Sequence, residues 1–343
     1  MSTYLADLER AVTLVGGKRT PSEIRVLFAP IRADLERVEE MLAEAVITAV
    51  PELSEALLSL VRGRGKRIRP ALVLLASKIR ETSTASAVYL ATSAELLHVA
   101  TLIHDDLIDR ASVRRGEETL AARWKGTATV LAGDYLFAKS GRVAAEIENF
   151  RVFKLFSEAV MTICAGEIRQ DFNNSRMPGD RQTYFDHIFS KTAALFMACT
   201  EGGAILGGAN EEEIAALRDY GRLLGLAFQI TDDTLDFTST AGDMGKPVGS
   251  DLREGLITLP TIYFLERDPH GAEARHLLFN NGRDPKHVEQ VIQAIASSPA
   301  IRSAQDEARE LAQQAQATLT PFPDNEFRKA LRDLADFVVE RNT

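Results

Sequence analysis

The segment from Glu95 to Gly116, ELLHVATLIHDDLIDRASVRRG, constrains this chain more than any other. On an α-helix, residues seven apart return to within about 20° of one direction, and residues four apart to within about 40°. His98, Asp105 and Asp109 therefore share one face, with Asp106 beside them, while Leu96, Leu97, Val99, Leu102, Ile103, Leu107 and Ile108 make the rest of the helix apolar. Acids crowded onto such a helix repel one another and lose hydration unless a cation compensates. An oxygen-only ligand set suits Mg²⁺, which keeps several waters and is commonly shared with substrate phosphates. A solvated acidic turn at a helix end is the competing reading.

A second copy weakens that alternative. In TDDTLDF, Asp232, Asp233 and Asp236 repeat the spacing at the end of the apolar segment Leu223 to Ile230, with Gln229 on the carboxylate face. Two such clusters facing each other across a cavity would hold a diphosphate through shared metal ions.

The 343 residues are 45% hydrophobic and 7% aromatic, with little strand-like alternation and no Pro/Gly/Ser-rich linker. One large, nearly all-α domain is expected over 30–343, preceded by an accessory arm over 1–29 that Gly16, Gly17 and Pro21 interrupt. The formal charge of −9 and the lack of a basic block disfavour a nucleic-acid partner. Cys164 and Cys199 lie in apolar helical contexts and are expected as reduced, buried thiols. The N-terminal residues carry no basic, apolar leader pattern, and no apolar run reaches membrane-spanning length, so a cytoplasmic location is expected.

Along the chain, Ile31 to Val50 has amphipathic helical spacing that Pro51 should end, and a second helix should follow from Glu52 to Val61. In RGRGKRIRP, Gly63, Gly65, Lys66, Arg67 and Arg69 precede an apolar helix; glycines and cations at a helix entrance build a phosphate site. Gly116 reads as a stop for the central helix. Another buried helix should contain Gly133 and Asp134, and a long one should carry GEIRQDF, with Gln170 and Asp171 on its polar side. Lys191 and Thr192 interrupt the apolar run of FSKTAALFMACTEGG, and a lysine facing a dry interior needs an anionic partner. A Gly- and Asp-rich loop, AGDMGKPVGSDL, holds Lys246 where it could close over a bound anion. His270, His276 and His287 lack ligand spacing and are read as surface residues.

With both DDxxD clusters, GKRIRP, the histidine before the first cluster, the arginine pair after it, the KT step and the GKPVGSDL loop in this order, the chain resembles the trans-polyprenyl diphosphate synthases from about residue 25 onward. The resemblance implies an all-α bundle around a deep central cavity, usually a homodimer, condensing isopentenyl diphosphate with an allylic diphosphate such as farnesyl or geranylgeranyl diphosphate. By the same resemblance Asp105, Asp106 and Asp109, with Asp232, Asp233 and Asp236, would bind Mg²⁺. Arg114, Lys191, Thr192, Gln229 and Lys246 would hold the allylic diphosphate, and Lys66, Arg69, His98 and Arg115 the isopentenyl diphosphate, with Arg67 nearby. Asp105, Asp109, Lys191, Asp232 and Lys246 would carry the catalytic work. Many relatives have a second lysine in the loop before TLP, where this chain has Leu256 after Gly255.

Neutralising a leaving diphosphate with cations lets its C–O bond ionise, a chemistry that needs positioning and electrostatics rather than a side-chain nucleophile. Ala100 and Thr101, five and four residues before Asp105, are small where short-chain relatives often carry aromatics, so the resemblance implies a tunnel open to medium- and long-chain products, with Phe137 as a deeper stop and a peripheral membrane contact for product release. A terpene cyclase would have no use for the isopentenyl site, and a regulatory subunit of a heteromeric synthase would tend to lose carboxylates that are all present here.

Overall fold

The computed structural model describes residues 27–62, 66–81, 85–114, 117–173, 180–238, 248–279 and 284–340. The first part comprises α1 (Arg32–Ala45), α2 (Pro51–Val61), α3 (Ile68–Lys78), the long α4 (Ala85–Ile108), a two-stranded hairpin β1 (Val113–Arg114) and β2 (Glu117–Glu118), α5 (Leu120–Arg123), α6 (Gly126–Ala145) and α7 (Phe150–Asn173). The second comprises α8 (Arg181–Ile188), a π-turn (Phe189–Ala193), α9 (Ala194–Leu206), α10 (Glu211–Thr238), α11 (Ser250–Glu254), α12 (Leu259–Arg267), α13 (Gly271–Phe279), α14 (Pro285–Ala296), α15 (Ala300–Thr318) and α16 (Glu326–Val339). The fold is of the all-α class expected from composition and takes the form of the bundle that the resemblance implies.

α4 runs through the core because it is apolar on nearly every side: Leu90, Ala91, Ala94, Leu96 and Leu97 are buried, and α1, α3, α6 and α9 pack around it. A helix without an exposed polar face must be enclosed. By length and composition α4 could cross a membrane, a match that a search for uninterrupted apolar runs misses, yet 72% of its most apolar window is buried within the bundle. On the other side α10 packs on α9 and α15. α4 and α10 are thus the two long core helices, and each carries an acid cluster near its C-terminus.

Several boundaries depart from expectation for local reasons. α1 stops at Ala45 rather than Val50: the Thr48 N–H goes to the Ser54 hydroxyl at 2.8 Å instead of continuing the helical ladder, and Pro51 opens α2 at its first position, where its missing N–H costs nothing. α4 ends at Ile108, well before Gly116: Arg110 takes a left-handed φ of 52°, and the Ala111 N–H bonds back to the Asp106 carbonyl at 2.9 Å. The chain then forms the hairpin, pairing Arg114 with Glu117, where only a helix stop was expected. Of the accessory arm only 27–29 are described, and Leu27 and Phe28 are buried.

α6 is less buried than expected, and α7 also exposes apolar side chains. Leu131, Phe150, Met161, Ile168 and Phe172 are between 57% and 84% exposed on their outer side. Cys199 is buried as expected, whereas Cys164 is exposed on α7. Phe137, expected as a deep stop, is 39% exposed on α6: its turn of helix faces away from the core that Leu136 enters.

Gly225 lets α10 lie against the π-turn, since a Cβ there would stand 2.5 Å from the Ala193 Cα. Gly225→Ala is expected to destabilise the protein by about 1–3 kcal/mol through overpacking against backbone. A urea titration checks this, and an unchanged midpoint would contradict so close an approach.

Candidate active site

The last turn of α4 sorts its three acids. Asp105 is half-buried, Asp106 is buried, and Asp109 is exposed just beyond the helix, its N–H bonded to the Asp105 carbonyl at 2.8 Å. Arg114, returning on the hairpin, donates from Nε to Asp106 Oδ1 at 2.6 Å. Burial pushes the Asp105 carboxyl up to about 6; Lys191 opposes this, Glu167 and Asp109 add to it, and Arg114 opposes it. The carboxylate thus lies in a place that disfavours its charge, relieved in part by a lysine.

That lysine comes from the π-turn. A π-turn interrupts the helical ladder at a single place and is frequent at functional sites. Lys191 Nζ lies 3.4 Å from Glu167 Oε1 on α7, the anionic partner expected for it. Burial works against the ammonium, while Glu167, Asp105 and Asp109 together raise its affinity for a proton. The next residue faces the other cluster: Thr192 Oγ1 hydrogen-bonds Gln229 Oε1 at 2.6 Å, Gln229 Nε2 donates to Asp233 Oδ1 at 2.9 Å, and the Tyr184 hydroxyl donates to Asp233 Oδ2 at 2.6 Å. Two consecutive residues therefore join the acids of α4 to those of α10.

The second cluster is sorted in the same way. Asp232 is exposed and Asp233 buried. Asp236 is buried and accepts from the Ser250 N–H at 3.1 Å, the Ser250 hydroxyl at 2.6 Å and the Asp251 N–H at 3.2 Å, so it anchors the start of α11. Burial pushes Asp233 up to about 7 against its two donors, and burial followed by Asp236, Asp233 and Asp232 pushes Asp251 up to about 8.

The six carboxylates expected as metal ligands thus divide. Asp106, Asp233 and Asp236 are buried and engaged by protein donors, whereas Asp105, Asp109 and Asp232 are the more open ones. Among the described residues no three acidic, histidine or cysteine side chains form a ready-made metal cage.

At the basic turn, Lys66 Nζ lies 5.4 Å from the Phe337 ring centre on α16, and the Arg69 guanidinium 5.2 Å from that of Phe196 on α9. His98 is half-buried on α4, and Thr101 donates its hydroxyl to the His98 carbonyl at 2.8 Å. Ala100 is 1% exposed. Arg67 departs from expectation: it was grouped with the substrate cations, but its side chain is buried against Glu39 and Glu95 and occupied there. Lys246 and Arg115 lie outside the described residues, as does the side chain of Asp171.

Tyr184, Ser250 and Glu167 escaped the sequence reading. GEIRQDF was singled out for Gln170 and Asp171, but its first acid is the one that meets Lys191.

The model of the polyprenyl synthetase family matches residues 50–296. The chain belongs to this family. It is 37% identical to heptaprenyl diphosphate synthase component 2 of Geobacillus stearothermophilus, over 93% of this chain and 99% of that one. Octaprenyl diphosphate synthase of Haemophilus influenzae is 32% identical over 93% of this chain and 97% of its own. Among solved structures, the polyprenyl synthase of Caulobacter crescentus complexed with calcium and isoprenyl diphosphate superposes with a TM-score of 0.87 at 32% identity, covering 93% of this chain and 98% of its own. This polyprenyl synthetase is accordingly a prenyl transferase with the isoprenoid synthase fold, as the motifs implied.

The raised carboxyls give this polyprenyl synthetase a pH signature. Asp105, Asp233 and Asp251 hold their protons more tightly folded than unfolded, so the stability they contribute is fully present below the ordinary aspartate value of 3.8 and is lost as pH rises through about 6, 7 and 8. His187, pushed down to about 4 by burial and Lys191, works in the opposite sense, but only below its ordinary 6.5. In EDTA, the calorimetric melting temperature should fall as pH is raised from about 6.5 to about 8.5. A flat or rising trend would contradict these buried acids.

Proposed function

We propose that this polyprenyl synthetase condenses isopentenyl diphosphate with an allylic diphosphate, farnesyl or geranylgeranyl, and repeats the addition to a medium- or long-chain all-trans polyprenyl diphosphate in the presence of Mg²⁺. The observation that carries the reading is the Lys191–Thr192 step, whose ammonium answers Asp105 and Asp109 while its neighbour is tied through Gln229 to Asp233.

The donor chemistry fits Mg²⁺: the acids offer only carboxylate oxygens, and burial, Glu167 and Asp109 all disfavour the charge of Asp105, which a divalent ion would relieve. Asp105, Asp109 and Asp232 would hold it, with Asp106, Asp233 and Asp236 supporting the turns from which they project. When bound, the ion withdraws electron density from the departing diphosphate. Lys191, Thr192 and Gln229, with Arg114 and Lys246, hold that diphosphate in line and supply positive charge or hydrogen bonds as its C–O bond breaks. Lys66, Arg69, His98 and Arg115 hold isopentenyl diphosphate so that its double bond meets the allylic cation. The proton lost afterwards goes to the released pyrophosphate, which is basic and close by.

Chain growth runs along α4 past Ala100 and Thr101, whose small side chains leave room for extension. The apolar outer side of α6 and α7, with Phe150, Met161 and Phe172 exposed, suits a second copy of this chain. Relatives named component 2 of heptaprenyl diphosphate synthase make a different partner the second reading for that surface. The enzyme works in the cytoplasm and releases product at a membrane surface.

The test is incubation of purified protein with Mg²⁺, isopentenyl diphosphate and a labelled farnesyl or geranylgeranyl primer, followed by chromatography. Wild type should give all-trans products longer than geranylgeranyl, and Ala100→Phe shorter ones. Asp105→Asn should lower turnover about 100-fold or more without lowering the melting temperature. Absence of elongation from any allylic primer would overturn the proposal, and consumption of the primer without isopentenyl diphosphate would favour a cyclase.

A further inference from the structure

Arg67 stands in the middle of the basic turn yet points into the protein. Its side chain is only 5% exposed. Nε donates to Glu39 Oε1 at 2.5 Å, Nη2 to Glu39 Oε2 at 3.1 Å, and Nη1 to Glu95 Oε1 at 2.9 Å; Nη2 also reaches the Val61 carbonyl. One guanidinium therefore ties α1, the last turn of α2, the start of α3 and α4.

Its backbone is as distinctive. Arg67 caps α3 in the left-handed region, with φ 51°. For a residue with a Cβ this conformation costs roughly 1–2 kcal/mol and persists only where the surroundings over-determine it. The four hydrogen bonds do so. The residue before it is Lys66, held over Phe337, and two residues after it is Arg69, held over Phe196. Glu95, the deeper acid of the pair, lies on α4 one turn before His98. The triad thus sits behind three groups that hold one substrate in the function proposed above.

We propose that Arg67, Glu39 and Glu95 are positioning residues for the isopentenyl diphosphate half of the site: the largely buried triad sets the entrance of α3, from which Lys66 and Arg69 project, and none of the three touches substrate. This inference rests on the proposed function. Lysine and arginine side chains are long and flexible, so the placement of their backbone decides where their charges converge, and a misplacement of about 1 Å can cost up to about 100-fold. The fork geometry matters, since a lysine at position 67 would keep the charge but could not bridge both acids and the carbonyl. The allylic half stands on the π-turn, α10 and the far end of α4 with its hairpin; among the described residues the Arg67 guanidinium is bonded to neither the π-turn nor α10, and its partner on α4, Glu95, lies ten residues before Asp105.

The test is steady-state kinetics of the full chain, varying each substrate in turn, for wild type, Arg67→Lys and Glu39→Gln, with a circular-dichroism melt of each. In Arg67→Lys the KM for isopentenyl diphosphate should rise about tenfold or more while the KM for the allylic primer stays within about twofold. Glu39→Gln, which keeps the arginine and Glu95, should show the same selectivity with a smaller rise, and it carries the test if Arg67→Lys does not fold. An equal rise in both KM values, or an unchanged KM for isopentenyl diphosphate, would overturn the triad's role while leaving the proposed function intact. Wild-type protein that consumes no isopentenyl diphosphate would overturn both.

Discussion

Like charges held at the edge of an apolar interior are the constraint on which the structure turns. Asp105 and Asp109 project from the end of a helix that is otherwise core, and Asp232 from the end of another. Left alone, such acids would resist folding around them. The answer built into the chain is the π-turn, which breaks the ladder between α8 and α9 and directs Lys191 to one cluster while Thr192 engages the other. Close approach at Gly225 seats α10 against that turn, so helix packing and site electrostatics are one arrangement.

Around this centre, each cluster divides its labour. The buried acids are structural: Asp106 receives the hairpin through Arg114, Asp236 anchors α11 through Ser250, and Asp233 is bracketed by Tyr184 and Gln229. Engaging these three leaves the more open carboxylates projecting from fixed turns. A rigid donor set that cannot neutralise itself is suited to a cation that arrives with its substrate.

Much of this was legible in the chain. The all-α class followed from helical periodicity, and the spacing of DDxxD placed carboxylates on one helix face. Lys191 was readable as needing an anionic partner because it interrupts an apolar run, where a lysine facing a dry interior would otherwise be uncompensated. What escaped reading depends on contacts between distant segments. Nothing near Arg67 distinguishes it from Lys66 or Arg69; its inward direction is decided by Glu39 and Glu95 on two other helices. The early end of α4 depends on a left-handed Arg110, a position where glycine would have given the signal. Cys164 was assigned to the interior from its apolar helical context and Phe137 to the deep end of a product tunnel, but both lie on exposed sides of α7 and α6.

The central claim is that the acids of α4 and α10 serve one diphosphate. A double-mutant cycle tests it most directly: calorimetric affinity for inorganic pyrophosphate with Mg²⁺ in wild type, Asp105→Asn, Asp232→Asn and the double variant. A shared site predicts a coupling energy of about 1 kcal/mol or more, the double loss falling well short of the sum of the single ones. Losses that add within about 0.5 kcal/mol would mean two independent clusters and would contradict the account.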